Sequence, residues 1–330
     1  PVNAFPPVPL GLRAMVGTLR RMLHEAEDPG AHPAAAALAQ LQAAGIAGAS
    51  PDTWLGLRPV STEAPVHDLS EGPFDVSPSS VRTYLDSPAH WFIDRVATTS
   101  SGLRAAVGTI VHAAAEQVQA DPTLIDDPER LWSQVADRWS ELRFDAPWLG
   151  ELELRRARKK VDGLALYLQG AAASGTELAA AELHFEFVTG AARIRGTMDR
   201  VERSSQGITV VDLKTGDTVP TKAEAQEHAQ LLAYQLALDE PEVQEAIGSA
   251  QRLGAKLVYL GVKGKQTPFE ERVQDALTPE RAAEWRELLD SVAQGMASGR
   301  YQAIAPHELG YNSPFARYSY ALHFIPEVSA

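Results

Sequence analysis

Two stretches read as strands from their apolar and polar positions. Ile208 to Lys214 is β-branched and apolar, and Arg193 to Arg203 precedes it across the turn-like residues Ser204 to Gly207. A hairpin centred between Ser205 and Gln206 puts Asp199 directly opposite Asp212, whether its loop has two residues or four. Upstream, helical spacing of apolar residues runs from Leu10 to Glu27 and from Ala34 to Ala44. From residue 77 the pattern predicts helices to about 172 and strands at 180–188, 193–203 and 208–214. A helix at 222–238, a strand at 256–262 and a helix at 279–298 follow. Gly261 to Gln266 reads as a polar turn between two strands. That order predicts an α/β fold, a mixed sheet flanked by helices, with an N-terminal helical appendage.

The hairpin carries the chemistry. Opposed residues on one sheet face have Cβ atoms roughly 5 Å apart. Two carboxylates that close repel and shift each other's pKa unless a cation lies between them. Lys214, two residues after Asp212, projects from the same face, since strand side chains alternate. Asp, Asp and Lys around one point suit a hard cation, Mg²⁺ or Mn²⁺. An Asp-x-Lys triplet also occurs in ordinary salt-bridged surface hairpins, so the rest of the chain has to decide.

Gly196 to Val201 (Gly-Thr-Met-Asp-Arg-Val) and Val211 to Gly216 (Val-Asp-Leu-Lys-Thr-Gly) resemble the core motif of the PD-(D/E)xK nuclease superfamily, in particular its RecB-like branch. Three further stretches are similar to motifs of that family and stand in its order. They are Ser77 to Pro88 with His90 to Phe92, Ala106 to Glu116 with its Gly-Thr-x-x-His, and His228 to Tyr234 with its Gln-x-x-x-Tyr. The resemblance implies a restriction-endonuclease-like core that hydrolyses DNA with a divalent metal. It makes Asp199, Asp212, Lys214, Gln230 and Tyr234 catalytic. It makes His112, Asp199, Asp212 and the backbone carbonyl of Leu213 metal ligands. Gln230 and Tyr234, four apart on a helix, would position the lysine, the water or the phosphate. Glu116 would orient His112 or a water, or be a solvated acid, and Glu182 and Glu186, which open the strand before the hairpin, could stand behind the ligands but are not counted among the site residues.

Charge and cysteine content refine this picture. The net charge of −13 argues against a stand-alone DNA binder of high affinity, because phosphate binding favours basic surfaces. The helical run Arg155, Arg156, Arg158, Lys159 and Lys160 supplies candidate local contacts, and Trp132 and Trp139 read as core. The chain has no cysteine. The [4Fe–4S] cluster held by many RecB-like nucleases needs thiolate ligands, so no iron–sulfur cluster can form. Trp91, Phe92, Phe315, Tyr318, Tyr320 and Phe324 would have to hold the terminal segment instead.

No apolar run approaches the roughly 20 residues that span a bilayer, and no signal peptide is evident. The chain reads as cytoplasmic, with no membrane partner. Residues 1–76 read as a helical segment and a Pro- and acid-rich connector, and 77–330 as the nuclease domain. The connector resembles the one joining a UvrD-type motor to the C-terminal nuclease of actinobacterial AdnAB-like helicase-nucleases. This implies a helicase motor in the same full-length chain, a second helicase-nuclease subunit, and single-stranded DNA as the preferred substrate in double-strand-break repair. The start at Pro1 fits a fragment or a processed product. A catalytically silent DNA-binding module and a stand-alone exonuclease are the competing expectations.

Overall fold

A computed structural model of the chain describes residues 11–24, 31–54, 62, 64–97, 103–142, 144, 146–262 and 267–301. Two compact units divide it, residues 65–303 and residues 1–64 with 304–330. The smaller contains helices α1 (Leu12–His24) and α2 (Ala31–Ala43). Val16, Leu38, Ala49 and Trp54 form its core, and the Arg20 guanidinium lies 4.6 Å over the Trp54 ring. Phe315, Tyr318, Tyr320 and Phe324 lie outside the described residues. Phe92 stacks on Tyr301 with ring centres 4.5 Å apart.

The larger unit begins with strand β1 (Phe74–Val76), in the stretch that sequence pattern alone reads as connector. Helices α3 (Pro78–Asp86), α4 (Pro88–Ala97), α5 (Leu103–Ala120), α6 (Pro128–Asp137) and α7 (Pro147–Ala173) follow. Next come strands β2 (Glu177–Thr189), β3 (Ala192–Arg203) and β4 (Ile208–Lys214), and helices α8 (Lys222–Gln226), α9 (Ala229–Ala237) and α10 (Pro241–Ile247). Strands β5 (Arg252–Leu260) and β6 (Phe269–Gln274) and helix α11 (Pro279–Ala297) complete it. Six of the helices open on proline, whose fixed φ suits a first turn and whose missing N–H costs nothing there.

The six strands form one mixed sheet, buried on both faces. Val210 and Leu257 belong to a core shared with α9 and α11, whereas Val211, Leu213, Val258 and Leu260 belong to a core shared with α5 and α7. Alternation along β4 and β5 therefore feeds two separate layers of helices, which is the α/β architecture expected from the sequence.

One feature of the pairing decides where chemistry can occur. β2 runs antiparallel along almost the whole of β3, from Thr189↔Ala192 to Glu177↔Arg203. The other edge of β3 is shared: β4 pairs with Arg200 to Arg203, and β1 pairs in parallel with Ala192 to Ile194. Between them the edge of β3 has no strand partner among the described residues, and Asp199 stands at the rim of that gap. Here β3 also changes face. Met198 and Val201 lie in the same core, three residues apart, which regular alternation forbids. The adjustment falls opposite Glu182, whose φ of +47° is left-handed, a conformation sparsely populated by non-glycine residues.

The helix expected over 222–238 is two helices. α8 opens with a capping box, Thr221 accepting from the Glu224 amide while Glu224 accepts from the Thr221 amide. It ends at Gln226, and α9 starts afresh after His228. Buried Gln274 explains the break. Its side-chain amide donates to the carbonyls of Ala225, Gln226 and His228 at 2.9, 3.1 and 3.3 Å, which satisfies acceptors that an interrupted helix leaves open. The break lets α9 set its own direction against the sheet.

Candidate active site

α5 lies on one face of the sheet and α9 on the other, and both reach the gap beside β3. His112 comes from α5, and its Nδ1 lies 3.5 Å from Asp199 Oδ2. The same Asp199 oxygen accepts the Leu213 amide at 2.7 Å. This carboxylate takes up an N–H just beyond the point where the β3–β4 ladder ends, at Arg200↔Val211. The pairing keeps the register inferred from sequence up to that pair, and the acids then separate. Asp199 reaches His112, and Asp212 reaches α9.

Asp212 is 1% exposed. Tyr234 donates to its Oδ1 at 3.4 Å, and the Lys214 ammonium lies 2.7 Å from its Oδ2. Among the described residues that ammonium is the close polar contact of the buried Oδ2. Burial pushes the Asp212 carboxyl up to about 6, with Lys214 pulling it down and Asp199 adding to the rise. Lys214 also donates to Gln230 Oε1 at 2.7 Å, and Gln230 donates onward to the Tyr234 hydroxyl at 2.6 Å. Burial and the nearby acids hold the Tyr234 phenol well above its ordinary pKa, so it remains a donor. Asp212, Lys214, Gln230 and Tyr234 thus form one closed network. His228, at the start of the same helix, is pushed down to about 4 by burial and by the Lys214 and Arg82 charges.

Glu182 is the residue that sequence reasoning left outside the ligand set. Ligand atoms of His112, Glu182 and Asp199 all lie within 4.8 Å of one another, the set among the described residues that can close on a metal ion. Asp212 stands beside this set rather than in it. Burial raises the Glu182 carboxyl, and Asp199 raises it further. Burial lowers the His112 imidazole, but Asp199, Asp212 and Glu182 outweigh it and leave its pKa raised. A signal for Glu182 existed in the sequence. The β2–β3 register sets position 182 opposite 199, and the Gly190 turn would have allowed that register to be inferred.

Three carboxylates around one imidazole and one ammonium repel one another, and one of them, Asp212, is almost fully buried. Hard oxygens with a single imidazole nitrogen suit a divalent cation of the Mg²⁺ or Mn²⁺ class. The residues present therefore fit a metal.

Two glycines let the parts approach. A Cβ at Gly196 would sit 2.7 Å from the Phe185 ring, and one at Gly108 would sit 3.0 Å from the Thr215 hydroxyl, just beyond Lys214. The remaining candidates are placed elsewhere. Glu186 is engaged by Arg193 and Arg195, and Glu116 is exposed. Trp132 and Trp139 pack against the core shared with α5 and α7. Arg200, next to Asp199, faces away into a buried network. Its Nε and the Tyr167 hydroxyl each donate to Glu202 Oε1 at 2.7 Å, and Lys256 lies 3.3 Å from Oε2. A satisfied network of this kind stiffens the strand behind the site.

Residues 75–308 match the family model of the PD-(D/E)XK nuclease superfamily. The chain belongs to that superfamily. The match begins within β1 and covers the other elements that frame the gap, so the superfamily's nuclease fold and the candidate site coincide in one unit. No curated protein matches the chain. Among the described residues of this nuclease-superfamily domain and its N-terminal unit, no helix is long and apolar enough to cross a membrane.

Proposed function

We propose that this chain is a Mg²⁺- or Mn²⁺-dependent deoxyribonuclease, the exonuclease-type module of an AdnAB-type helicase-nuclease that acts on DNA ends in cytoplasmic double-strand-break repair. The observation that carries the catalytic part is the joining of two groups at one gap, His112–Glu182–Asp199 and Asp212–Lys214–Gln230–Tyr234. His112, Glu182 and Asp199 would hold the cation, with Asp212 and the Leu213 carbonyl as the further ligands that the family resemblance implies. When bound, such a cation polarises a phosphoryl oxygen and lowers the pKa of a water.

The chain's own groups do the rest. Asp212 and Gln230 fix the Lys214 ammonium between them, where it can stabilise charge developing on a phosphate without reorganising. Tyr234, protonated, orients Gln230 and Asp212. Asp199 holds the Leu213 amide and thereby the strand end from which Lys214 projects.

Purified protein is expected to cut single-stranded DNA with Mg²⁺ or Mn²⁺ and to be silent in EDTA. It should spare blunt duplex, since a separate motor would have to open it, and its DNA affinity should fall steeply with salt. Tight, salt-insensitive binding with efficient digestion of blunt duplex would favour a stand-alone exonuclease.

Metal binding is measurable without catalysis. A ligand at a hundred times its Kd stabilises the native state by about 2.7 kcal/mol, which for a domain of this size is a Tm rise of about 5–10 °C. Mn²⁺ is expected to produce such a rise in the wild type and a much smaller one in His112→Ala and Glu182→Gln. Equal rises in all three proteins would remove His112 and Glu182 from the ligand set.

A further inference from the structure

Helix α7 has a side that the catalytic reading leaves without a role. Trp148, in its first turn, is 66% exposed, although an indole is among the costliest side chains to leave in water. Arg155 and Lys159 follow seven and eleven residues later and are also exposed. At about 100° per residue the three fall within roughly 40° of arc, along about 16 Å of helix.

The cations differ from their neighbours. Arg156 is paired with Glu153 at 2.5 Å, and Arg158 with Glu129 and Asp162 at 2.5 and 2.8 Å. Among the described residues the side chains of Arg155 and Lys159 have no hydrogen-bond or ion-pair partner. In a chain with 43 acids against 30 Lys and Arg, two adjacent exposed cations left unneutralised beside a bare indole stand out against the acidic surface. The next side of α7, about 100° round, connects this face to the catalytic strand. Arg156 and Lys160, together with Glu153 and Asp217, line a cavity of about 200 Å³ that Thr215 and Gly216, the two residues after Lys214, also line.

We infer that this side of α7 is a platform for single-stranded nucleic acid, with a base stacked on Trp148 and successive phosphates held by Arg155 and Lys159 on the way to Lys214. An exposed aromatic next to free cations matches what an unpaired strand presents, a π-face on each base and a charge on each phosphate. A duplex, whose bases are stacked on one another, offers the indole nothing. The inference rests on the nuclease reading for its direction, but its binding test does not involve cleavage.

The experiment measures binding of fluorescent oligo-dT and oligo-U to the full chain in EDTA at several salt concentrations. Trp148→Ala should weaken both about tenfold, within the range measured for a single base stack, and Trp148→Phe should restore most of the affinity. The double variant Arg155→Gln with Lys159→Gln should flatten the slope of log affinity against log salt by about 1.4, at about 0.7 per single-strand phosphate contact. Melting temperatures and cleavage of bis(p-nitrophenyl) phosphate, too small to reach α7, should match the wild type. Loss confined to oligo-dT or to oligo-U would keep the platform and identify which sugar it accepts. Unchanged affinity and slope in both variants would overturn the platform and leave the side of α7 to a protein contact. A wild type that cleaves neither DNA nor the small diester would instead count against the nuclease reading, while the binding results would still decide the platform.

Discussion

Asp212→Asn is expected to abolish phosphodiester cleavage without lowering the melting temperature of the metal-free protein. The substitution keeps the shape and removes the charge. Lewis-acid stabilisation by a bound cation is worth several kcal/mol, and each roughly 1.4 kcal/mol is tenfold in rate, so kcat should fall about a thousandfold or more. Stability should move the other way or not at all. A carboxylate that is 1% exposed costs folding free energy, which its pairing with Lys214 and the long bond from Tyr234 offset only in part. An amide at 212 removes the buried charge, while Lys214 keeps Gln230 and, being partly exposed, water. Activity assays with purified variant and thermal melts in EDTA read the two effects separately. Persisting cleavage would end the assignment of Asp212 to the reaction. A large fall in Tm together with lost activity would make Asp212 a structural residue.

Lys214→Met should lose turnover while retaining DNA. Its ammonium is fixed at 2.7 Å from both Asp212 and Gln230, so it meets a reacting phosphate already oriented. A preorganised charge of this kind contributes roughly 10²- to 10³-fold, and mainly in the transition state. The expected pattern is therefore a fall in kcat of that size with KM changed only a fewfold. Lys214→Arg should not rescue it, because a planar guanidinium does not occupy the place of a compact ammonium between those two acceptors. Equal losses in binding and in turnover would make Lys214 an ordinary phosphate contact.

Much of this site was legible because strand periodicity is a strong local signal. A period of two fixes which residues share a face, so the turn at Ser204–Gly207 was enough to bring Asp199 and Asp212 into register and to put Lys214 beside Asp212. The i, i+4 spacing of Gln230 and Tyr234 likewise survives any tertiary context, and the absence of cysteine excludes thiolate chemistry by itself. Mixed sheet and flanking helices followed from the same alternation, read along the whole chain.

What periodicity could not supply were the places where it is broken. The left-handed residue at Glu182, the change of face between Met198 and Val201, and the end of the β3–β4 ladder at Arg200↔Val211 are all departures from regular pairing. Together they separate the two acids and bring Glu182 to His112. The split of 222–238 into two helices depends on Gln274, nearly fifty residues downstream, whose amide reaches carbonyls that no local pattern marks as free. Strand β1 is three residues long and pairs in parallel with a strand more than a hundred residues away, so nothing near it in sequence identifies it. The sequence alone determined which candidate residues lie on which elements and which of them share a face. The tertiary structure alone decided which of them touch, because long-range hydrogen bonds and strand irregularities cost little locally and are repaid only once distant segments have packed.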